Sequence, residues 1–266
     1  MRQFRYLSLF ILFLGACSSY EKVLKSDDVN YKLTKANEYY NKKQYSKANE
    51  VYDKLMPVMR GTKNFEPLYF RFAYTNYYLK NYEAASYHFK NFVDQFPGST
   101  DAEEAEYMHA LSLFKLSPKT SLEQTYTIKA IEAMQDYING HPNSKRVAEA
   151  NKMIDDMRAK LEEKEASAAK LYYNIGQYKA ATIAYKSVME NYPESVNNDL
   201  YQYMIVRANY NFAKASVEAK QEERFANAIS AYNEFKESYP NSKYIQEALK
   251  YYQQSNEKLN EIRHGN

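Results

Sequence analysis

Tryptophan is absent from this 266-residue chain, cysteine occurs once, and glycine and proline number only six and seven. The single cysteine, Cys17, rules out an intramolecular disulfide. Scarce glycine and proline, together with the lack of β-branched runs, leave little turn chemistry for a sheet protein, so the fold class read from the sequence is all-α. A strong charge of one sign is also missing. The formal net charge is +3, and Arg2 and Arg5 supply two of those charges, which leaves +1 for the chain beyond them. A balance this close to neutral argues against nucleic acid as a partner.

Catalytic signatures are missing too. His88, His109, His141 and His264 are scattered with no i, i+4 pair, and there is no second cysteine to complete a metal site. No glycine-rich phosphate loop or nucleophile elbow appears. The carboxylate pairs Glu103/Glu104, Asp155/Asp156 and Glu162/Glu163 are adjacent residues. Neighbours on a helix diverge by about 100° and do not converge on one substrate. The sequence therefore reads as a non-enzymatic binding protein with no catalytic residue, no metal and no cofactor.

Tyrosine, by contrast, is abundant at 29 residues. The tyrosines fall into a recurring pattern: aromatic, +3 alanine, +4 large, +3 large, +5 proline, +2 serine. Tyr178, Ala181, Tyr185, Val188, Pro193 and Ser195 show it, as do Tyr82, Ala85, Phe89, Phe92, Pro97 and Ser99, and Phe225, Ala228, Tyr232, Phe235, Pro240 and Ser242. A further copy, Ala130, Met134, Tyr137, Pro142 and Ser144, has Thr127 in place of the first aromatic. The first copy, Tyr45, Ala48, Tyr52 and Leu55, has Arg60 where the proline belongs. On a helix these steps place the apolar residues on one face. Proline stops the helix, serine caps the next one, and mid-helix alanine lets a preceding helix approach closely. About five helix–turn–helix units in series, each burying its face against its neighbours, make an α-solenoid.

The amino terminus carries a separate signal. Met1–Arg5 is a short basic segment, Tyr6–Leu14 is apolar but too short to span a bilayer comfortably, and Leu14-Gly15-Ala16-Cys17 comes next. This pattern resembles a bacterial lipobox, which implies that residues 1–16 are removed and Cys17 is lipidated as the anchor to a membrane; an ordinary cleaved signal or a short membrane anchor is the alternative. The expected organisation is then a tether over 17–28, repeats 1–3 over 29–142, and a long connecting helix over 143–176 ended by Gly176. Repeats 4–5 with a capping helix occupy 177–260, and a polar tail 261–266. A Lys/Glu-rich loop is expected from Lys214 to Arg224.

The spacing of aromatic, alanine and proline resembles tetratricopeptide repeats. The lipobox, the closings FPGS, HPNS, YPES and YPNS, and the charged segment KLEEKEASAAKLYY together resemble the BamD family of lipoproteins in the outer-membrane β-barrel assembly machinery, over about residues 28–258. That resemblance implies an outer-membrane protein of a Gram-negative bacterium, lipid-anchored on the periplasmic face. It implies docking to a BamA-like barrel subunit with periplasmic domains, association with other assembly-machinery lipoproteins, and recognition of unfolded outer-membrane protein precursors. It also implies precursor recognition by the amino-terminal repeats and docking by the carboxy-terminal ones. The other reading is a repeat lipoprotein that organises peptidoglycan or cell-division enzymes at the envelope.

In a tetratricopeptide hairpin the first helix lines the concave face. Counting back from Tyr45 and Tyr82 gives Leu33, Asn37, Tyr40, Phe70, Tyr74 and Tyr77 as candidates for a peptide groove, suited to an extended peptide ending in an aromatic residue. The competing reading packs half of these rings against neighbouring repeats. Lys214, Arg224 and Lys250 are the candidates for a docking surface, with a solvated loop and cap as the alternative.

Overall fold

The computed structural model describes residues 19–265, so Cys17 and the leader assigned to 1–16 lie outside the described residues. Among the described residues there is no strand. Residues 19–25 form a short helix, α1. Three hairpins come after it in a first compact unit that extends to Met157: α2 (Val29–Asn41) with α3 (Tyr45–Met59), α4 (Phe65–Tyr78) with α5 (Tyr82–Gln95), and α6 (Ala102–Leu116) with α7 (Thr125–Gly140). A second unit begins at Arg158 and contains α9 (Tyr178–Asn191), α10 (Asn198–Lys214), α11 (Glu218–Ser238) and α12 (Ile245–His264). The 28-residue α8 (Val147–Asn174) starts in the first unit and ends in the second. Among the described residues no helix is long and apolar enough to cross a membrane.

Within each unit successive helices pack in chain order, α2 on α3, α3 on α4 and so on, as tandem helix–turn–helix repeats do. The small residue of the pattern explains the close packing. Ala48, Ala85, Ala130 and Ala181 are fully buried, as are Ala36, Ala73 and Ala208 on first helices outside the pattern, and a lone methyl group lets helix axes approach where a larger side chain would hold them apart. The large positions of the pattern fill the space around them. Tyr52, Phe89, Phe92, Met134 and Tyr137 are buried in the first unit, and Tyr185, Val188, Tyr232 and Phe235 in the second. Thr127, standing in for an aromatic, is buried as well; its hydroxyl lies 2.6 Å from both Gln124 Oε1 and Ser117 Oγ. Gln124 in turn donates to the carbonyls of Lys119 and Leu122, so the longest connection of the first unit is fixed by side-chain hydrogen bonds.

Hairpin tips close by one motif. In three of them the first helix ends on a residue in the left-handed region: Lys43 (φ 57°), Lys80 (φ 63°) and Gly176 (φ 78°). Each time two backbone N–H groups return to the last turn, as in Gln44 to the Tyr39 carbonyl and Asn81 to the Asn76 carbonyl. Gly176 adopts this conformation without steric cost, whereas a lysine there has its Cβ against the backbone.

The closing serines do more than cap. The hydroxyl of Ser99 donates to Glu66 at 2.6 Å, Ser144 to Glu103 at 2.7 Å, Ser195 to Glu162 at 2.6 Å and Ser242 to Asp199 at 2.7 Å. Each carboxylate lies on the first helix of the hairpin that the serine closes. Each serine oxygen also accepts from the backbone N–H two residues on, at Asp101, Arg146, Asn197 and Tyr244. One side chain therefore ties the end of a hairpin to its beginning and shapes the entry into the next. The serine caps a turn ahead of the helix rather than the helix itself, since α10 starts on Asn197 as its N-cap. The first hairpin, with Arg60 in place of proline, lacks this link and closes instead on Thr62, whose hydroxyl donates to the Met59 carbonyl.

One expected loop is largely helical. Only 215–217 separate α10 from α11, and Glu218 to Arg224 form the first two turns of α11. The stretch breaks the repeat spacing because α11 is 21 residues long, and its Glu, Lys, Gln and Arg are good helix formers without an intervening glycine or proline.

Two substitutions probe these contacts through stability. Lys80→Gly removes a left-handed lysine and should raise stability by about 0.5–1 kcal/mol, read as a higher urea midpoint; a lower midpoint would contradict this account of the hairpin tip. Glu162 is buried and receives three hydrogen bonds, from Ser195, Asn197 and Tyr201. Burial pushes its pKa up, but these three donors outweigh burial and hold it below its ordinary value of 4.5. Its stabilisation is therefore complete above pH 4.5 and is lost as pH falls through the lowered value. Glu162→Ala should cost roughly 2–4 kcal/mol at neutral pH by leaving buried donors unpaired. Urea unfolding at pH 7 and at acid pH should show the gap from the native chain narrowing on acidification, and a pH-independent gap would refute the assignment.

Candidate functional site

In the first unit, side chains from α2, α4 and α6 meet in one network of tyrosines and charges. Asn37 Oδ1 on α2 accepts from the Tyr52 hydroxyl and from Arg71 Nη1, both at 2.7 Å. The Arg71 guanidinium lies 5.8 Å from the centroid of the Tyr40 ring, within cation–π range. Tyr40 lies 6.5 Å from Tyr78, and Tyr78 stacks on Tyr45 at 4.2 Å and on Tyr74 at 5.7 Å. The Tyr74 hydroxyl donates to Glu104 on α6, and Glu104 pairs with Arg146 at 2.6 Å. Arg146 covers the ring of Tyr107 at 4.3 Å.

The phenols of Tyr40, Tyr52 and Tyr74 remain protonated. Burial, chiefly, pushes Tyr52 up to about 12. Burial raises Tyr40 as well, and burial followed by the hydrogen bond to Glu104 raises Tyr74. Arg71 forms no ion pair with a carboxylate among the described residues, whereas Arg146 does. The face thus combines aromatic surface, guanidinium N–H donors and phenol hydroxyls. Such a set can hold an extended peptide through ring contacts and through hydrogen bonds to its carbonyls.

The six groove candidates divide by direction. Asn37, Tyr40 and Tyr74 belong to this network. Leu33 is half-buried against the core of the first unit. Phe70 turns inward, 5.1 Å from Phe92 and 6.1 Å from Phe89, both fully buried. Tyr77 leans toward the hairpin tip, 5.4 Å from Tyr82. Arg71, Tyr78, Glu104 and Arg146 are the members that sequence reasoning missed. Tyr78 is the most exposed of the face's rings on α4, at 44%. The i, i+3, i+7 spacing of Arg71, Tyr74 and Tyr78 on one helix was the available signal, hidden because aromatics surround α4 on nearly every side.

The docking candidates lie in the second unit and are not joined. Lys214 is exposed at the end of α10 and Lys250 is exposed on α12. Arg224 is half-buried on α11, with its guanidinium 4.0 Å over Phe212 and a hydrogen bond to Ser216 Oγ. Among the described residues no hydrogen bond or ion pair links Lys250 to either of the others.

One pairing has the outline of a nucleophile and base: Ser86 Oγ lies 2.9 Å from His109 Nδ1. That nitrogen is also 2.9 Å from the Ser86 carbonyl, to which it must donate, so it cannot take the hydroxyl proton. Burial, chiefly, also lowers the pKa of His109, and the pair is structural. Among the described residues no cluster of His, Cys, Asp and Glu could hold a metal ion.

Comparison with known proteins locates this architecture. The family model described as YfiO, an outer membrane lipoprotein, matches residues 26–199, and a tetratricopeptide-repeat model matches 207–242. The chain is 27% identical over 242 residues to the outer membrane protein assembly factor BamD of Rickettsia prowazekii, spanning 90% of this chain and 92% of that one. It is 26% identical over 214 residues to the putative outer membrane protein assembly factor BamD of Aquifex aeolicus, spanning 77% and 69%. A third relative, outer membrane protein assembly factor BamD of Caulobacter vibrioides, is 26% identical over 135 residues, 51% of this chain and 44% of that one.

Proposed function

The chain belongs to the YfiO family of outer membrane lipoproteins, and from that membership we propose that it is a non-enzymatic subunit of the outer-membrane β-barrel assembly machinery. Its first unit recognises unfolded outer-membrane protein precursors, and its second docks to a BamA-like barrel subunit. Lipid on Cys17 holds it at the outer membrane on the periplasmic face, with no other cofactor. Other lipoproteins of the machinery complete the assembly.

The observation that carries the recognition reading is the Arg71 guanidinium beside Tyr40, whose ring continues through Tyr78 to Tyr74. An unfolded barrel strand offers alternating apolar and aromatic side chains and unpaired backbone carbonyls. The rings supply contact area at small entropic cost, and Arg71, without a carboxylate of its own, supplies donors to those carbonyls. Docking draws on the exposed charges of the second unit, with Lys214, Arg224 and Lys250 as its candidates; charges of this kind steer association more than they add affinity.

The test uses an unfolded barrel protein labelled with a fluorophore and the purified chain. Arg71→Ala with Tyr78→Ala leaves Asn37 its bond from Tyr52 and truncates an exposed ring, so the helical circular-dichroism signal should be preserved. Affinity read by fluorescence anisotropy should fall by roughly tenfold or more. Unchanged affinity in a folded double variant would remove this face from the mechanism.

A further inference from the structure

Very little chain separates Cys17 from the body of the first unit. The short helix α1 packs on the first hairpin. Val23 is buried, and the Tyr20 ring lies 5.7 Å from that of Tyr39 with the Lys47 ammonium 5.4 Å over it. The Tyr20 hydroxyl donates to Glu50 at 2.5 Å. Tyr39 is close to the end of α2 and Lys47 close to the start of α3, so the amino-terminal end of α1 lies at the tip of this hairpin. Cys17 is three residues before Tyr20. An extended chain covers at most about 3.6 Å per residue, which keeps Cys17 within about 11 Å of Tyr20.

The tips of the three hairpins share one edge of this unit. Tyr45, which opens α3, stacks at 4.2 Å on Tyr78, which ends α4. Tyr126 at the start of α7 donates at 3.0 Å to Glu83 at the start of α5. The edge is basic. The connections 41–44, 79–81 and 117–124, with Lys115 in the last turn of α6, bring together Lys42, Lys43, Lys80, Lys115 and Lys119, against one carboxylate, Glu123. All five lysines are exposed, and none forms an ion pair with a carboxylate among the described residues. Leu122, 55% exposed, adds an apolar side chain at the third tip. The opposite edge differs, because its charges are engaged: Glu104 pairs with Arg146, and Glu66 and Glu103 accept from closing serines.

We propose that the tip edge of the first unit rests on the phospholipid headgroups of the membrane that holds the anchor, with its five lysines against lipid phosphates and Leu122 among the headgroups. The lipid at Cys17, on which this inference rests, supplies attachment; α1 and the lysines add orientation. Acyl chains that start within about 11 Å of Tyr20 enter the bilayer beside the first hairpin tip, so Lys42 and Lys43 lie at a distance from the headgroups comparable with the screening length of about 8 Å. A lysine is a compact charge on a flexible stem, suited to phosphates that have no fixed geometry, and each one near an anionic surface adds to the attraction. An anchor on a long free tether would leave the facing side of the protein unset.

The test reconstitutes the lipidated full chain in vesicles of phosphatidylethanolamine and phosphatidylglycerol that carry a nitroxide quencher near the headgroups. A fluorophore is attached to one introduced cysteine, at the tip edge in Gln44→Cys or Ser121→Cys and at the opposite edge in Gly98→Cys, where a Cβ meets open space. A 14-residue helix, about 21 Å, separates the two edges. The tip labels should be quenched, and the label at position 98 should keep its emission in quencher-free vesicles. Vesicles of phosphatidylcholine alone should relieve the tip quenching although the lipid still holds the chain. Replacing Lys42, Lys43, Lys80, Lys115 and Lys119 by Gln should do the same. Equal quenching at both edges, or tip quenching that persists in neutral vesicles and in the glutamine variant, would overturn the inference. A lipidated cysteine has no free thiol, so dye taken up by the native chain, whose single cysteine is Cys17, would refute the lipid and this inference together. Failure of the quenching pattern in a chain that takes no dye at Cys17 refutes the orientation alone.

Discussion

The structure depends on a hydroxyl shared between two repeats. A helical hairpin cannot bury its apolar face alone, so its position against the next hairpin must be fixed by something besides hydrophobic contact, which is non-directional. In this chain the closing serine supplies direction. It donates to a carboxylate on the first helix of its own hairpin and accepts from the backbone that begins the next, at Ser99, Ser144, Ser195 and Ser242 alike. Buried alanines then set how close the helices come, and tyrosines fill the remaining space. Where the serine is missing, after α3, the hairpin ends on a local threonine bond, and the join to the next rests on packing between α3 and α4.

Much of this is legible from residue order. The helical hairpins, the alanine positions and the stop at Gly176 come from spacing and from conformational preferences of single residues, which act within a few positions of themselves. The carboxylate partners of the serines are not legible, because they lie 33 to 43 residues upstream at intervals that vary with each connecting loop. The direction of the aromatics on α4 is hidden for a different reason. Phe70 and Tyr74 sit on one side of the helix by spacing and both rings pack on the buried Phe89, at 6.1 and 5.0 Å, but only Tyr74 carries a hydroxyl that reaches Glu104. The position of α6 gives that hydroxyl its partner. The stretch before Phe225 reads as a loop when repeat spacing is weighed above helix propensity, and in the folded chain the propensity wins.

The two units use the same side chains to different ends. In the first, the charges are spent on one another at Glu104 and Arg146, while Arg71 meets an amide oxygen and an aromatic ring rather than a carboxylate. In the second, the carboxylate at Glu162 is absorbed by the closing serine and its neighbours, and Arg207 lies beside the Tyr173 ring with Glu247 acting on its charge from further off. Both are cations held beside rings at the first helices of the repeats. The recognition of extended chains proposed for the first unit would draw on such a surface and requires no catalytic chemistry.

The most direct test of the account is site-specific photo-crosslinking in living cells. A photoreactive residue placed at Tyr78, at Arg71 or at the outward-facing Tyr87, which is 63% exposed, reports what each position touches during barrel assembly. The account predicts adducts with unfolded outer-membrane proteins from Tyr78 and Arg71 and none from Tyr87. Adducts from all three alike, or from Tyr87 alone, would contradict it.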